Sequence, residues 1–159
     1  MPNLRYFVIF LCLLTGLILM IVPMPESVQF YRPHWVALIL IYWSMALPER
    51  VGLWIAFFSG IVVDVSQGTL FGQHALALVI ITSINLTFYQ RIRVMALVQQ
   101  SLYVFVLLII GQTIVGWMEG IMGRPTPLVT FFGAPFIGML IWPLVYVTLR
   151  DLRRKAGIN

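Results

Sequence analysis

The sequence predicts an all-α membrane protein that folds as a single bundle of six transmembrane helices. Three observations support this fold class: 61% of the 159 residues are hydrophobic, only 9% are charged, and the mean hydropathy is +0.99. Soluble domains carry charge on roughly 25% of their residues, so this composition is typical of a chain that lies mostly in lipid. No strand alternation, internal repeat or low-complexity tract is evident, so residues 1–159 are expected to form one transmembrane domain.

Short segments rich in proline, glycine and charge divide the apolar sequence into six stretches, each expected to be a helix. A helix needs about 20 residues to cross a hydrocarbon core that is ~30 Å thick. The expected helices span residues 6–22, 34–47, 51–65, 73–90, 95–118 and 132–149.

The first expected helix follows a charged start, as in a signal peptide, but no small-x-small cleavage motif stands between it and "PMPES". We therefore interpret residues 6–22 as a retained transmembrane helix. The single cysteine, Cys12, lies inside it. A lone cysteine cannot form an intrachain disulfide or a metal cluster, so the sequence predicts no redox chemistry of this kind.

The second and third expected helices are short. Residues 34–47 provide only about 14 residues, or roughly 21 Å of helix, and residues 51–65 are scarcely longer. Two short crossings are favoured over a re-entrant pair, because a re-entrant turn would place Glu49 and Arg50 in hydrocarbon. The aromatic residues expected to extend these crossings at the membrane interfaces are Tyr31, Trp35 and Trp43.

Amide and small residues in the fourth and fifth helices predict close helix packing. Asn85 and Gln112 lie within apolar stretches, where amides usually form hydrogen bonds between helices. Gly111, Gly116 and Gly120 recur along the fifth helix, a pattern that favours the close approach of another helix. That helix could belong to the same chain, to a partner or to a second copy of the chain.

The sixth helix contains Pro135 and Pro143, which predict kinks or local breaks. It is followed by the basic segment "RDLRRKAGIN". Such a segment fixes the orientation of a membrane protein and can also contact anionic lipid headgroups.

The distribution of basic residues predicts that both termini are cytoplasmic. With six crossings, eight of the ten Lys and Arg residues fall on the same side as the N-terminus. These are Arg5, Arg50, Arg91, Arg93, Arg150, Arg153, Arg154 and Lys155, whereas Arg32 and Arg124 fall on the outer side. Topology therefore accounts for the formal charge of +5, and no nucleic-acid partner is expected.

The stretch "SGIVVDVSQGTLFGQHAL" places one carboxylate, Asp64, at the end of an apolar run. An ionisable residue in a membrane is costly and suggests a functional site with a nearby partner. Gly60 lies one turn earlier on the same helix face and lets another helix approach the carboxylate. Gly68 and Gly72 can adopt the positive φ of a tight turn, which would bring His74 back toward Asp64.

Two interpretations of Asp64 are open. It could lie at the centre of a small polar pocket or partner-docking site, or it could pair with Arg32, Arg124 or His74 and only fix the packing. The polar residues expected near the outer boundary of the membrane are Glu26, Arg32, His34, Asp64, His74, Glu119 and Arg124.

Enzymatic chemistry has no specific signal in the sequence. There is no HExxH or GxSxG motif, and no nucleophile stands in a pattern with a base. His34 and His74 as zinc ligands would need two further ligands, and only acids are available. The sequence therefore predicts a protein that is not an enzyme and has no cofactor or metal.

Three stretches together resemble the MreD family of rod shape-determining proteins of Gram-negative bacteria: "YRPHWVALILIYWSMALPERVG", "GIVVDVSQGTLFGQHALAL" and "QRIRVMALVQQ". Two motifs carry the resemblance, an Arg-Pro-x-Trp opening of the second helix and a Gly-x-x-x-Asp…Gly…Gly-x-x-Ala-Leu block. Their residues are Arg32, Pro33 and Trp35, and Gly60, Asp64, Gly68, Gly72, Ala75 and Leu76. Length, helix number and the basic tail extend the resemblance over nearly the whole chain.

The resemblance implies a multi-pass protein of the bacterial inner membrane that acts without enzymatic activity in the cell-elongation machinery. It implies that the protein acts in side-wall peptidoglycan synthesis together with the membrane-anchored MreC, the actin-like MreB, and the glycosyltransferase RodA with its transpeptidase. The expected function is a scaffold that binds the transmembrane helix of MreC, with a homodimer and lipid contacts also possible.

The resemblance also implies that the bundle is similar to the substrate-binding subunits of vitamin transporters. This similarity is an analogy of fold. The alternative function is therefore a small-molecule or lipid-binding subunit of a membrane transporter. Which helix faces MreC, and in what stoichiometry, is left open by the sequence.

Overall fold

Residues 2–69 and 71–158 are described by the computed structural model, and within them the backbone forms seven α-helices and no strand. The prediction of an all-α protein is confirmed. The helices are α1 (Pro2–Ile21), α2 (Glu26–Gln29), α3 (Trp35–Ala46), α4 (Leu53–Gln67), α5 (Gln73–Arg93), α6 (Leu97–Ile121) and α7 (Leu128–Lys155).

Six of these helices correspond to the six expected stretches, and the largest difference is at the last one. The α7 helix is continuous through Pro135 and Pro143, so the expected local breaks do not occur. It also runs into the basic tail, where cations are favourable at a helix C-terminus. Gly157, with φ +66°, ends it in a Schellman motif, in which the N–H of Ile158 donates to the carbonyl of Arg153.

The short helix α3 lies at the centre of the bundle. It packs against α1, α5, α6 and α7, and every residue from Val36 to Ala46 is buried. The expectation that Trp43 anchors α3 at a membrane interface is wrong, because its side chain is 0% exposed. A helix that is apolar all round is typical of a buried position, where an aromatic residue packs in the core.

The other helices surround α3 in the order α1, α4, α5, α6 and α7, with neighbours in contact from α1 to α7. Consecutive long helices alternate in direction. We name the end where α3, α5 and α7 begin the His74 end, and the end where α1, α4 and α6 begin the Arg93 end. Residues of α1, α2, α4, α5, α6 and α7, and of the segment just before α3, meet at the His74 end around one cavity.

The outer surface of the bundle is apolar. Large exposed side chains such as Trp54 (75% exposed), Phe10 and Leu144 cover it. Four helices, α1, α5, α6 and α7, are long and apolar enough to cross a membrane. The helices α3 and α4 have 12 and 15 residues, or about 18 and 22 Å of helix. An apolar surface of this extent is typical of lipid contact.

Buried amides join the helices of the core, as expected for Asn85. Its Nδ2 donates to the carbonyl of Ile41, at 2.9 Å, and to Oγ of Ser44, at 2.6 Å, which links α5 to α3. The hydroxyl of Tyr103 on α6 donates to Oδ1 of Asn85. One side chain thus satisfies polar groups of three helices in an apolar interior.

At the Arg93 end, the side chain of Arg93 closes the C-terminus of α3. Its Nε and Nη2 donate to the carbonyls of Met45 and Ala46, at 3.1 and 2.7 Å. The last carbonyls of a helix lack partners within the helix, so this contact satisfies two of them and fixes α5 against α3.

Candidate functional site

Asp64 lies in the last turn of α4 and is 0% exposed. Its backbone ends the helix: the N–H of Thr69 donates to the carbonyl of Asp64, and the N–H of Gly68 to the carbonyl of Val65. Gly68 has φ +64°, as predicted, and the pair of bonds is a Schellman motif. The turn therefore stops α4 directly after the carboxylate.

The side chain of Asp64 begins the next helix. Oδ2 accepts a hydrogen bond from the N–H of Gly72 at 2.9 Å, and Oδ1 accepts one from the N–H of His74 at 2.9 Å. Gly72 occupies the N-cap position with the predicted positive φ, +95°, and has no side chain that could cap the helix. A carboxylate from α4 thus supplies the negative cap that α5 lacks.

Of the three candidate partners of Asp64, which were Arg32, Arg124 and His74, the structure pairs it with His74. Its Nδ1 lies 2.8 Å from Oδ1 of Asp64. A carboxylate only accepts hydrogen bonds, so Nδ1 carries the hydrogen when the imidazole is neutral. Thr69 adds a third bond to the same oxygen through its hydroxyl, at 3.0 Å.

Gly60 makes this arrangement possible. A Cβ atom at Gly60 would lie 2.9 Å from the carbonyl carbon of His74 and closer still to the backbone of Ala75. The start of α5 therefore touches the α4 backbone one turn before Asp64. The spacing of four residues between Gly60 and Asp64 places the close contact and the capping group on one face of α4.

A cavity of about 610 Å³ opens at the His74 end. We name it the polar cavity, because 11 of its 17 lining residues have side chains that form hydrogen bonds. Its polar lining residues are Gln29, Arg32, His34, Ser66, Gln67, Thr69, His74, Gln112, Glu119, Thr126 and Thr130. Its volume lies within the range of small-molecule sites, about 300–1,000 Å³.

Two histidines and an amide form one wall of the polar cavity. Nε2 of His34 lies 3.0 Å from Oε1 of Gln112, which joins the start of α3 to α6. The rings of His34 and His74 are 6.3 Å apart between centroids and are inclined by 53°. The Asp64 cluster therefore continues into the cavity through His74.

Glu119, near the end of α6, also lines the polar cavity. Its Oε1 accepts from Nε2 of Gln73 at 3.1 Å, and its Oε2 accepts from the hydroxyl of Thr126 at 2.7 Å. Sequence reasoning placed Glu119 at this end but missed these two partners. The signal available was a single acid near the end of an apolar helix, the same signal that identified Asp64.

The first family motif borders the same cavity. Arg32 and Pro33 line it, and Trp35 is the first residue of α3. Arg124 is exposed and does not line the cavity, and its backbone N–H donates to the carbonyl of Glu119 in the turn after α6. The structure thus brings Arg32 to the cavity and leaves the side chain of Arg124 outside it.

The three glycines of α6 differ in their surroundings. A Cβ atom at Gly111 would lie 2.6 Å from Cδ1 of Ile81 on α5, so this glycine permits close packing within the chain. At Gly116 a Cβ atom would meet Thr126 and Phe131 at ordinary contact distances, and at Gly120 it would meet nothing within 4 Å. Only the Gly120 position leaves open space.

An apolar groove runs along the outside of the bundle between α1 and α4. We name it the α1–α4 groove; its volume is about 410 Å³. Its lining residues are Phe10, Leu13, Leu14, Leu17, Val36, Ile55, Phe58, Ser59 and Val62. The groove differs from the polar cavity in chemistry as well as in position, because its wall is almost wholly apolar.

Comparison with known proteins gives a single consistent result. The profile of the family "MreD: rod shape-determining protein MreD" matches residues 1–152. The "Rod shape-determining protein MreD" of Haemophilus influenzae is 28% identical over 156 residues, which cover 98% of this chain and 96% of that protein. No solved structure matches the chain at a significant level.

Proposed function

The chain belongs to the MreD family of rod shape-determining proteins, and from that premise we propose that it is a non-enzymatic scaffold that binds MreC within the cell-elongation machinery. The match over residues 1–152 carries this proposal. As a family member the chain is a multi-pass protein of the inner membrane with a role in cell shape. In the proposal, MreC links it to MreB and to RodA with its transpeptidase.

The proposed topology has six crossings with both termini in the cytoplasm. Arg5, Arg50 and Arg93 line one small cavity at the Arg93 end, which supports a cytoplasmic location for that end. The basic end of α7 adds to the same side. The His74 end, with the polar cavity, would then face the periplasm.

The proposed seat of the MreC transmembrane helix is the α1–α4 groove. A helix that binds from the lipid phase gains little from hydrophobicity and depends on close packing, so it favours a concave apolar surface with small residues. The groove offers such a surface, with Ser59 in its wall between the larger Phe58 and Val62.

Site-specific photocrosslinking in cells that contain MreC tests this seat. A photoreactive residue at Phe58 or Val62 is expected to crosslink to MreC, because both side chains line the groove and are partly exposed. Val98 and Leu102 on α6 are exposed as well and serve as matched controls. MreC crosslinks from α6 together with none from α4 would contradict the proposed seat.

A second candidate function, a small-molecule or lipid-binding transport subunit, is favoured by the polar cavity. This candidate requires a ligand that stays bound through purification and an energising partner protein. A scaffold requires a stable MreC complex. Native mass spectrometry of the purified complex separates the two, because it detects a retained ligand and MreC in the same measurement.

A further inference from the structure

Arg32 is half-buried and lines the polar cavity. Its Nε and Nη2 are buried, and within residues 2–69 and 71–158 no protein group accepts a hydrogen bond from them. A buried N–H group of a guanidinium is unfavourable without an acceptor. These two nitrogens therefore favour an anionic or carbonyl oxygen in the cavity as their acceptor.

The acids near the polar cavity form hydrogen bonds with groups other than Arg32. Both oxygens of Glu119 accept from Gln73 and Thr126. The carboxylate of Asp64 accepts from the start of α5, from His74 and from Thr69. Among the described residues neither acid forms an ion pair with Arg32.

Thr130 provides a second unpaired polar group on the wall of the same cavity. Its Oγ1 is buried and has no hydrogen-bond partner among the described residues. Thr130 lies in the first turn of α7, whereas Arg32 precedes α3. Two unpaired groups from separate segments of the chain thus border one space, together with the neutral side chains of Gln29 and Gln67.

We propose that the polar cavity binds the oxyanion of a small hydroxyl-bearing ligand, with Arg32 and Thr130 as its hydrogen-bond donors. The planar guanidinium donates two parallel bonds to phosphate or carboxylate oxygens. The neutral amides and hydroxyls of the wall suit the hydroxyl groups of such a ligand. A phosphoglycerol group has this chemistry, and it occurs both as a soluble ester and as a lipid headgroup.

Binding measurements on the purified chain in a phosphate-free, non-ionic detergent test the proposal. The probes are glycerol 3-phosphate and dihexanoyl-phosphatidylglycerol, with glycerol as the uncharged control, and isothermal titration calorimetry is the readout. Saturable binding of glycerol 3-phosphate would show that the soluble ester is sufficient as a ligand. Saturable binding of the lipid, with none of glycerol 3-phosphate, would show that the ligand is the headgroup of a lipid. Absence of saturable binding by both probes overturns the proposal.

Arg32→Gln is expected to weaken at least tenfold the binding of whichever probe binds, because it removes both the positive charge and the planar guanidinium that donates two parallel hydrogen bonds. Arg124→Gln is the matched control: it removes the same charge at the same end of the bundle from a residue that does not line the cavity. Thr130→Val should weaken binding by a smaller factor. Unchanged affinity in Arg32→Gln overturns the proposal.

Thermal unfolding without a probe separates binding from folding. Because the buried Nε and Nη2 of Arg32 make no hydrogen bond within the described chain, Arg32→Gln should not lower the unfolding midpoint. If Arg32→Gln does not fold, Arg32→Lys decides, since lysine keeps the charge but loses the planar fork. If Arg32→Lys binds the probe as tightly as the wild type, the role of the planar guanidinium is overturned. If folded Arg32→Lys binds the probe more weakly, that role is supported. None of these results depends on MreC, whose proposed seat is the α1–α4 groove.

Discussion

One oxygen of Asp64 holds His74 twice: Oδ1 accepts from the backbone N–H of His74 at 2.9 Å and from its Nδ1 at 2.8 Å. The two residues are ten positions apart and lie in different helices. The same carboxylate therefore caps α5, orients an imidazole at the wall of the polar cavity, and ties the end of α4 to both. The two interpretations of Asp64 were a role in helix packing and a role in forming a site. The same set of hydrogen bonds serves both.

Asp64→Ala is expected to destabilise the protein by about 3 kcal/mol, because it leaves the N–H groups of Gly72 and His74 and the hydroxyl of Thr69 without their buried acceptor. The midpoint of thermal unfolding in detergent measures this loss. Asp151→Ala is the control, since the side chain of Asp151 is 53% exposed and pairs with Arg150 at 3.7 Å. Equal effects of the two substitutions would contradict the capping role.

The pairing of Asp64 with His74 could be anticipated because its signals are local. An acid in an apolar run, a glycine one turn earlier and two glycines in the following turn all lie within one short stretch of sequence. The bonds of Glu119 could not be anticipated in the same way. Gln73 is 46 positions away, so the contact depends on how α5 packs against α6.

The central position of α3 was also beyond the reach of sequence patterns. Periodicity identifies a buried face only when a polar face opposes it, and nearly every residue of α3 is apolar. Lipid and protein interior attract such residues equally. Trp43 therefore fitted a membrane interface as well as the core, and only the packing of α1, α5 and α7 around α3 decides between them.

Gly60→Ala is expected to separate α4 from α5, because the added methyl group would overlap the backbone of Ala75, which cannot rotate away as a side chain can. Overpacking of this kind costs about 1–3 kcal/mol. Gly120→Ala introduces the same group on α6 where nothing lies within 4 Å, so it should be neutral or slightly stabilising. The two unfolding midpoints, measured in the same detergent, test the difference; a Gly60→Ala midpoint at or above that of Gly120→Ala would rule out the close approach.

Gly72→Ala is expected to cost about 1–2 kcal/mol through backbone strain alone, since φ is +95° and an added Cβ would meet nothing within 4 Å. Gly52→Ala provides the matched control. Gly52 precedes α4, has φ −96° and is equally uncrowded, so alanine should fit there without strain. Denaturation of both variants separates conformational strain from steric overlap, and a loss of the same size at Gly52 would argue against strain at Gly72.

Val62→Trp is expected to block the α1–α4 groove and abolish co-purification of MreC while the bundle stays folded. Val62 is 48% exposed and lines the groove, so a larger side chain can fill the concave surface without entering the core. Val98→Trp places the same bulk on the exposed face of α6 and should leave the complex intact. The readouts are MreC recovered with affinity-tagged protein, and the thermal midpoint as the test of folding. Full recovery of MreC with folded Val62→Trp would mean that the MreC helix binds a different face of the bundle.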